Sequence, residues 1–120
     1  MSEIVFYNKN GTAIAYSQDG QHIYTFTGKP VAYLYDVSVY SYSGKHLGRY
    51  ENGWIRDNKG RCALFTSEAS GGPVKPVKKV KPIKSVKQVK PVKSVKSVKP
   101  VKPVSSLSWS DLSSENFFYQ

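Results

Sequence analysis

Apolar and polar residues alternate in short runs through the first half of the chain, and glycines interrupt the runs at a nearly fixed interval. Aligned on Gly44, the stretch Tyr40-Ser41-Tyr42-Ser43-Gly44-Lys45-His46-Leu47-Gly48 has three counterparts. They are centred on Gly11, Gly28 and Gly60, at spacings of 17, 16 and 16 residues. An apolar residue stands five positions before each glycine (Phe6, Ile23, Val39, Ile55) and another three after it (Ile14, Val31, Leu47, Ala63). Four after it the residue is small in three copies (Ala15, Ala32, Gly48) and Leu64 in the fourth. Alternation rich in β-branched and aromatic residues predicts strands, and each glycine predicts the turn joining two of them. Asn10-Gly11 supplies the positive φ of a tight hairpin, while Asp19-Gly20 and Asn52-Gly53 mark turns between repeats. The segment reads as eight short antiparallel strands.

A single hairpin of this length is not stable in water, so four in succession must bury their apolar faces against one another. Closing them into a ring removes the exposed edges. The small residues after each turn would then allow close approach near a central axis. Residues 1–68 are thus expected to form an all-β domain of four Gly-centred hairpins, about 16 residues each, closed into a small pseudo-four-fold structure.

Two stretches carry a resemblance: Ile23-Tyr24-Thr25-Phe26-Thr27-Gly28-Lys29-Pro30-Val31-Ala32-Tyr33 and Gly53-Trp54-Ile55-Arg56-Asp57-Asn58-Lys59-Gly60. With the other two units they are similar to the bacterial 4-fold beta flower proteins. The resemblance covers about residues 1–68 and implies a pseudo-four-fold β fold. A Lys/Arg-Pro-Val tail and a Ser-Trp-Ser end are similar to the family as well. It implies no activity and carries over no catalytic position.

From Pro73 the period changes to three. Valine or isoleucine recurs from Val74 to Val104 and lysine from Lys75 to Lys102, while the remaining slot holds proline, serine, glutamine or Lys79. Period three matches polyproline II, which would gather the lysines into one stripe. Residues 69–104 are therefore expected to be a Gly/Pro boundary followed by an extended, disordered tail. Charge follows the same division: residues 1–72 carry a net +1, residues 73–104 carry +11, and the last sixteen carry −2. The basic character thus belongs to the tail, which points any polyanion partner at Lys75, Lys78, Lys79, Lys81, Lys84, Lys87, Lys90, Lys93, Lys96, Lys99 and Lys102. Nucleic acid is favoured and an anionic membrane surface would serve also. The tail lacks aromatics for base stacking, so binding should tolerate any sequence. About six phosphate contacts would give a log–log salt slope near −5. The plainer reading is a spacer held extended by proline and charge.

Residues 105–120 change character again, with Trp109, Leu112, Phe117 and Phe118 as anchors for docking a protein partner or for folding back onto the β domain. Tyr7, Tyr24 and Tyr40 are equivalent positions, with Arg56 as the fourth, and a ring of them about the axis would form a small-ligand pocket. Cys62 is the only cysteine, and His22 and His46 the only histidines. His46 and Cys62 occupy the same repeat position as Ala13 and Pro30, which suits packing better than catalysis. No ligand spacing suggests a metal or cofactor. The N-terminus has no signal-peptide pattern and no apolar run is long enough to cross a bilayer, so a cytoplasmic location is expected. The expectation is a non-enzymatic binding module engaging a polyanion through its tail. The alternatives are an adaptor docking through its aromatic end and a small-ligand-sensing β domain.

Overall fold

Each Gly-centred unit folds as a hairpin. The structure, a computed structural model, describes residues 3–120, so the first two residues of the segment 1–68 lie outside the described range. The strands are β1 (Ile4–Tyr7), β2 (Ala13–Ser17), β3 (His22–Thr25), β4 (Pro30–Tyr35), β5 (Ser38–Tyr40), β6 (His46–Glu51), β7 (Trp54–Asp57) and β8 (Cys62–Phe65). Each pairs antiparallel with the next, and β8 returns to β1 through Tyr7 and Phe65, closing an eight-stranded barrel. The expected all-β, four-repeat closed structure is what the chain adopts.

The turns are alike because the chemistry at one position is alike. Three residues before each glycine stands Asn8, Thr25, Ser41 or Asp57, and its side-chain oxygen accepts the backbone N–H of the residue just after the glycine. In the third repeat the Gly44 N–H donates to the Ser41 carbonyl and the Ser41 N–H to the Lys45 carbonyl, both at 3.0 Å. A short polar side chain thus satisfies the turn locally.

Large residues face small ones across three of the hairpins, and Ile55 faces Leu64 in the fourth. Phe6 lies opposite Ala15, Ile23 opposite Ala32, and Val39 opposite Gly48. These residues form the central core, with Phe6, Ile23, Val39 and Ile55 fully buried. A β-bulge follows each of the four, and past it Tyr7, Tyr24, Tyr40 and Arg56 belong to the outer wall.

The C-terminal segment completes this core. Helix α1 (Ser114–Phe118), capped by the Ser113 hydroxyl, inserts Phe117 and Phe118 among the axial residues. A Cβ on Gly48 would press on the Phe117 ring and overlap the Arg56 carbonyl, so glycine there makes room for both. Trp109 packs edge-on against Trp54 and Phe65, at 5.6 and 6.2 Å between ring centroids. Its neighbours exchange backbone hydrogen bonds with Cys62, from Cys62 N–H to the Ser108 carbonyl and from Ser110 N–H to the Cys62 carbonyl. Leu112 is half-buried against the same core. Of the two roles expected for this segment, folding back is the one seen. Phe117 and Phe118 are core, and Trp109 packs partly buried against the outer wall. No helix among the described residues is long and apolar enough to cross a membrane.

Candidate functional site

The tail is extended, as its period of three requires, but it does not leave the barrel. Its backbone runs around the outer wall and is tied down at every repeat. The Lys79 N–H donates to the Gly11 carbonyl, Gln88 to Gly28, Ser97 to Gly44 and Ser106 to Gly60, at 2.7–3.0 Å. Ser85 and Ser94 add bonds to the Phe26 and Tyr42 carbonyls. This corrects the expectation of a disordered tail. The physical reason lies in the slot that holds proline or a polar residue, because the backbone of that slot turns its N–H toward the barrel. All six of these N–H donors occupy it, and at Pro76, Pro82, Pro91, Pro100 and Pro103 the slot has no N–H to satisfy. Successive ties are nine residues apart, or roughly 28 Å of polyproline II, and four such steps match the girth of a circle about 36 Å across. The molecule measures 36 × 35 × 26 Å.

The glycines that set the turns also set this approach. A Cβ on Gly11, Gly28, Gly44 or Gly60 would overlap the carbonyl oxygen of Val77, Val86, Val95 or Val104 respectively. The valines and Ile83 project outward, 90–96 % exposed. Their role is conformational, since β-branching favours extended backbone.

The lysines form a collar whose stems lie over the outer aromatics. Lys78 sits over Tyr7, Lys84 over Tyr16, Lys87 over Tyr24, and Lys93 over Tyr33, with ammonium-to-centroid distances of 4.5–5.7 Å. Lys96 lies between Tyr33 and Tyr35. Lys75 donates to the Ala69 carbonyl. Only two of the tail lysines meet a carboxylate among the described residues, Lys84 at Glu3 and Lys102 at Glu51. Cation–π contacts attract the ammonium without cancelling its charge, so the collar stays strongly positive. Lys79, Lys81, Lys90 and Lys99 are exposed and have neither a carboxylate nor an aromatic ring as a recorded partner.

The tyrosine ring is not about the axis. Strand alternation places Tyr7, Tyr24 and Tyr40 beneath the tail, each under 10 % exposed, so the expected axial ligand pocket is absent from the described structure. Arg56 does in its repeat what Tyr40 does in the one before. The Tyr40 hydroxyl donates to the Ser97 carbonyl at 3.4 Å, and Arg56 Nη1 donates to the equivalent Ser106 carbonyl at 2.6 Å. Burial pushes the hydroxyl of Tyr42 up to about 12, and those of Tyr16, Tyr24 and Tyr33 in the same direction.

The two residues weighed for chemistry pack as their repeat position suggests. Burial raises the Cys62 thiol, with Arg56 opposing and Asp57 adding to the rise. No cluster of three or more His, Cys, Asp or Glu side chains suited to a metal occurs among the described residues. His46 donates its backbone N–H to the Ser97 hydroxyl, and its ring Nε2 meets the Ser38 hydroxyl at 3.1 Å. Burial pushes His46 below the usual 6.5, with Arg49 and Lys99 acting in the same sense. The unfolded chain then takes up this proton first. Stability is full above the ordinary histidine range and falls as pH drops below it. Urea unfolding at pH 7.5 and 5.5, as round values either side of that range, should show a lower midpoint at the acid pH. His46→Gln should reduce the difference, and an unchanged difference would locate it elsewhere.

Two features escaped sequence reasoning, one residue and one period. Arg49 stands five after Gly44, in phase with Tyr16, Tyr33 and Phe65, so the repeat alignment contained it. Pro73, Pro82, Pro91 and Pro100 recur every nine residues, which announces the docking period.

An eight-stranded closed barrel of four equivalent hairpins, encircled by its own C-terminal extension, defines a pseudo-four-fold β structure in which extension and barrel are one unit. The model of the family described as "4-fold beta flower protein" matches residues 4–118, and the chain belongs to that family. The match takes in the tail and α1 as well as the barrel. No curated protein matches the chain, and no solved structure does.

Proposed function

We propose that the chain is a non-enzymatic module that binds a polyanion through its lysine collar. The observation that carries this reading is the imbalance in the collar, where eleven exposed lysines face two carboxylates. Nucleic acid is the favoured polyanion. The tyrosine faces that would stack bases are already occupied by lysine ammonium groups, so contacts are with the phosphate backbone and tolerate any sequence. The burial of Phe117 and Phe118 argues against the adaptor reading, which needs them free.

The collar is curved, and this alters the expected salt dependence. A straight duplex touches a convex rim over an arc, engaging about four lysines where an extended stripe would engage six or more. The log–log salt slope on random duplex DNA is then roughly −3 to −4. A flexible polyanion that bends around the rim should bind more tightly than the duplex at equal charge. Anisotropy titrations of the full chain across a range of salt test this. Replacing Lys79, Lys81, Lys90 and Lys99 by Gln removes charge without removing any recorded contact of those side chains, and should flatten the slope while leaving the melting temperature unchanged. Absence of binding at low salt would overturn the reading. Binding to anionic vesicles but not to duplex would assign the collar to a membrane surface instead.

A further inference from the structure

Four junctions join neighbouring repeats on the outer wall, and three are filled by stacked rings. Phe65 stacks on Tyr7 at 5.3 Å, Tyr16 on Tyr24 at 6.1 Å, and Tyr33 on Tyr40 at 6.0 Å, with interplanar angles of 23–25°. The fourth junction, between β6 and β7, holds Arg49 directly opposite Arg56 in the ladder. Both are buried, at 5 and 6 % exposure. Two guanidinium groups therefore occupy a position built elsewhere for flat aromatic pairs.

Their charge is not balanced by carboxylates. Arg56 donates from Nη1 to the Gly60 and Ser106 carbonyls and from Nη2 to the Gly71 carbonyl, all neutral acceptors. Arg49 Nη2 donates to the Pro100 carbonyl at 2.5 Å. Arg49 Nη1 is buried with no partner at all. The nearby acids are committed, Glu51 to Lys102, and Asp57 to the Lys59 and Arg61 N–H groups and the Ser110 hydroxyl. Neither arginine makes an ion pair among the described residues. Buried like charges side by side, one with an idle donor, call for an anion. A cavity of about 10 Å³ adjoins both, lined also by Glu51, Asp57, Gly60, Lys102, Pro103 and Ser105, the two carboxylates being those already engaged elsewhere. That is room for one oxygen-sized atom.

We infer that Arg49 and Arg56 form a phosphate-class oxyanion site. One oxygen of the ligand sits in the cavity against Arg49 Nη1, and the rest of the group lies at the mouth beside Lys102 and Ser105. Planar guanidinium forks suit such an anion better than a water molecule, which would leave neither guanidinium bonded to a negative charge. The ligand is free phosphate or a phosphate group of a polyanion following the collar. The site is separable from the collar's function, because its donors are the two buried arginines and Lys102 and not the exposed Lys79, Lys81, Lys90 and Lys99.

The test is thermal melting and titration calorimetry of the full chain with sodium phosphate, ionic strength held constant with sodium chloride. Phosphate should raise the melting temperature saturably where chloride does not, with one site per chain. Arg49→Gln, which keeps a donor for the Pro100 carbonyl, should weaken phosphate binding about tenfold or more, as removal of one charge-assisted contact does. Should that variant fail to fold, the exposed Lys102→Gln carries the same test with an expected several-fold loss. Stabilisation by short polyphosphate alone, abolished in the same variants, assigns the site to a phosphate group of a longer ligand. Equal response to phosphate, polyphosphate and chloride, or phosphate binding untouched by both substitutions, overturns the site. Loss of duplex binding in the four-lysine variant with phosphate binding intact would separate this site from the collar.

Discussion

Gly44→Ala should release the tail from the third repeat and lower the melting temperature by roughly 10–20 °C, for a loss of about 3 kcal/mol. Gly44 has φ of 93°, which an alanine adopts only under strain, and its added Cβ would overlap the Val95 carbonyl oxygen. The strain and the overlap separate cleanly by comparison with Gly71→Ala. Gly71 also has a positive φ, 75°, but has nothing near its missing Cβ. The Gly71 variant should lose only about 1–2 kcal/mol, the cost of the backbone conformation alone. Limited trypsin digestion reads the release directly. Cleavage after Lys93 and Lys96, which precede Ser94 and Ser97, should accelerate in the Gly44 variant and stay slow in the Gly71 variant. Both residues donate backbone N–H bonds to the barrel at that repeat. Equal losses in the two variants would mean that the tail's approach contributes nothing to stability.

Phe117→Ala should cost about 3–5 kcal/mol, the usual range for emptying a buried phenylalanine site. For a small domain holding about 5–15 kcal/mol in total, that is a large share, and the urea midpoint should fall by about a fifth or more. Phe117 is fully buried among Phe6, Ile23, Val39 and Ile55, so the cavity would open in the central core. Tyr119→Ala, two residues on and 58 % exposed, should have little effect on the urea midpoint and serves as the control. A Phe117 variant as stable as the original protein would mean that the helix is not part of the core, and would return the segment to the role of a free docking motif.

The barrel was legible because its information is local. Each turn needs a short polar residue, a glycine and flanking alternation, and all three recur in phase at Asn8/Gly11, Thr25/Gly28, Ser41/Gly44 and Asp57/Gly60. The facing of the tyrosines was not legible, because identical repeat positions say that four side chains are equivalent but not whether they meet at the axis or lie outside it. Phe6 and Tyr7 both read as apolar, and the bulge between them leaves no mark in composition. The tail was half legible. Its period of three gave the extended backbone, but solvation of that backbone was assumed, and the barrel supplies carbonyls at the height of the turns. The longer period hidden in Pro73, Pro82, Pro91 and Pro100 was the clue that each barrel repeat has its own nine-residue share of tail. With that share counted, the chain ends where Phe117 can reach the core, and the aromatic end ceases to look like a free motif.

The path of the tail has a mechanical consequence. It leaves the barrel at repeat four, where Trp54 Nε1 donates to the Ser70 carbonyl, passes repeats one to three, and returns to repeat four at Cys62. It therefore crosses the seam where β8 meets β1, joined in the ladder, among the described residues, by the single pair Tyr7 and Phe65. There Lys78 reaches Ser67 on one side while lying over Tyr7 on the other. A cylinder of staves fails first at its weakest joint, and a hoop resists that failure by carrying tension around the whole circumference. Pulled from the C-terminus, the chain should first give up α1 and the pairing at Cys62, and then the hoop one fastening at a time, from Ser106 back to Lys79, so that the joint it guards is exposed last.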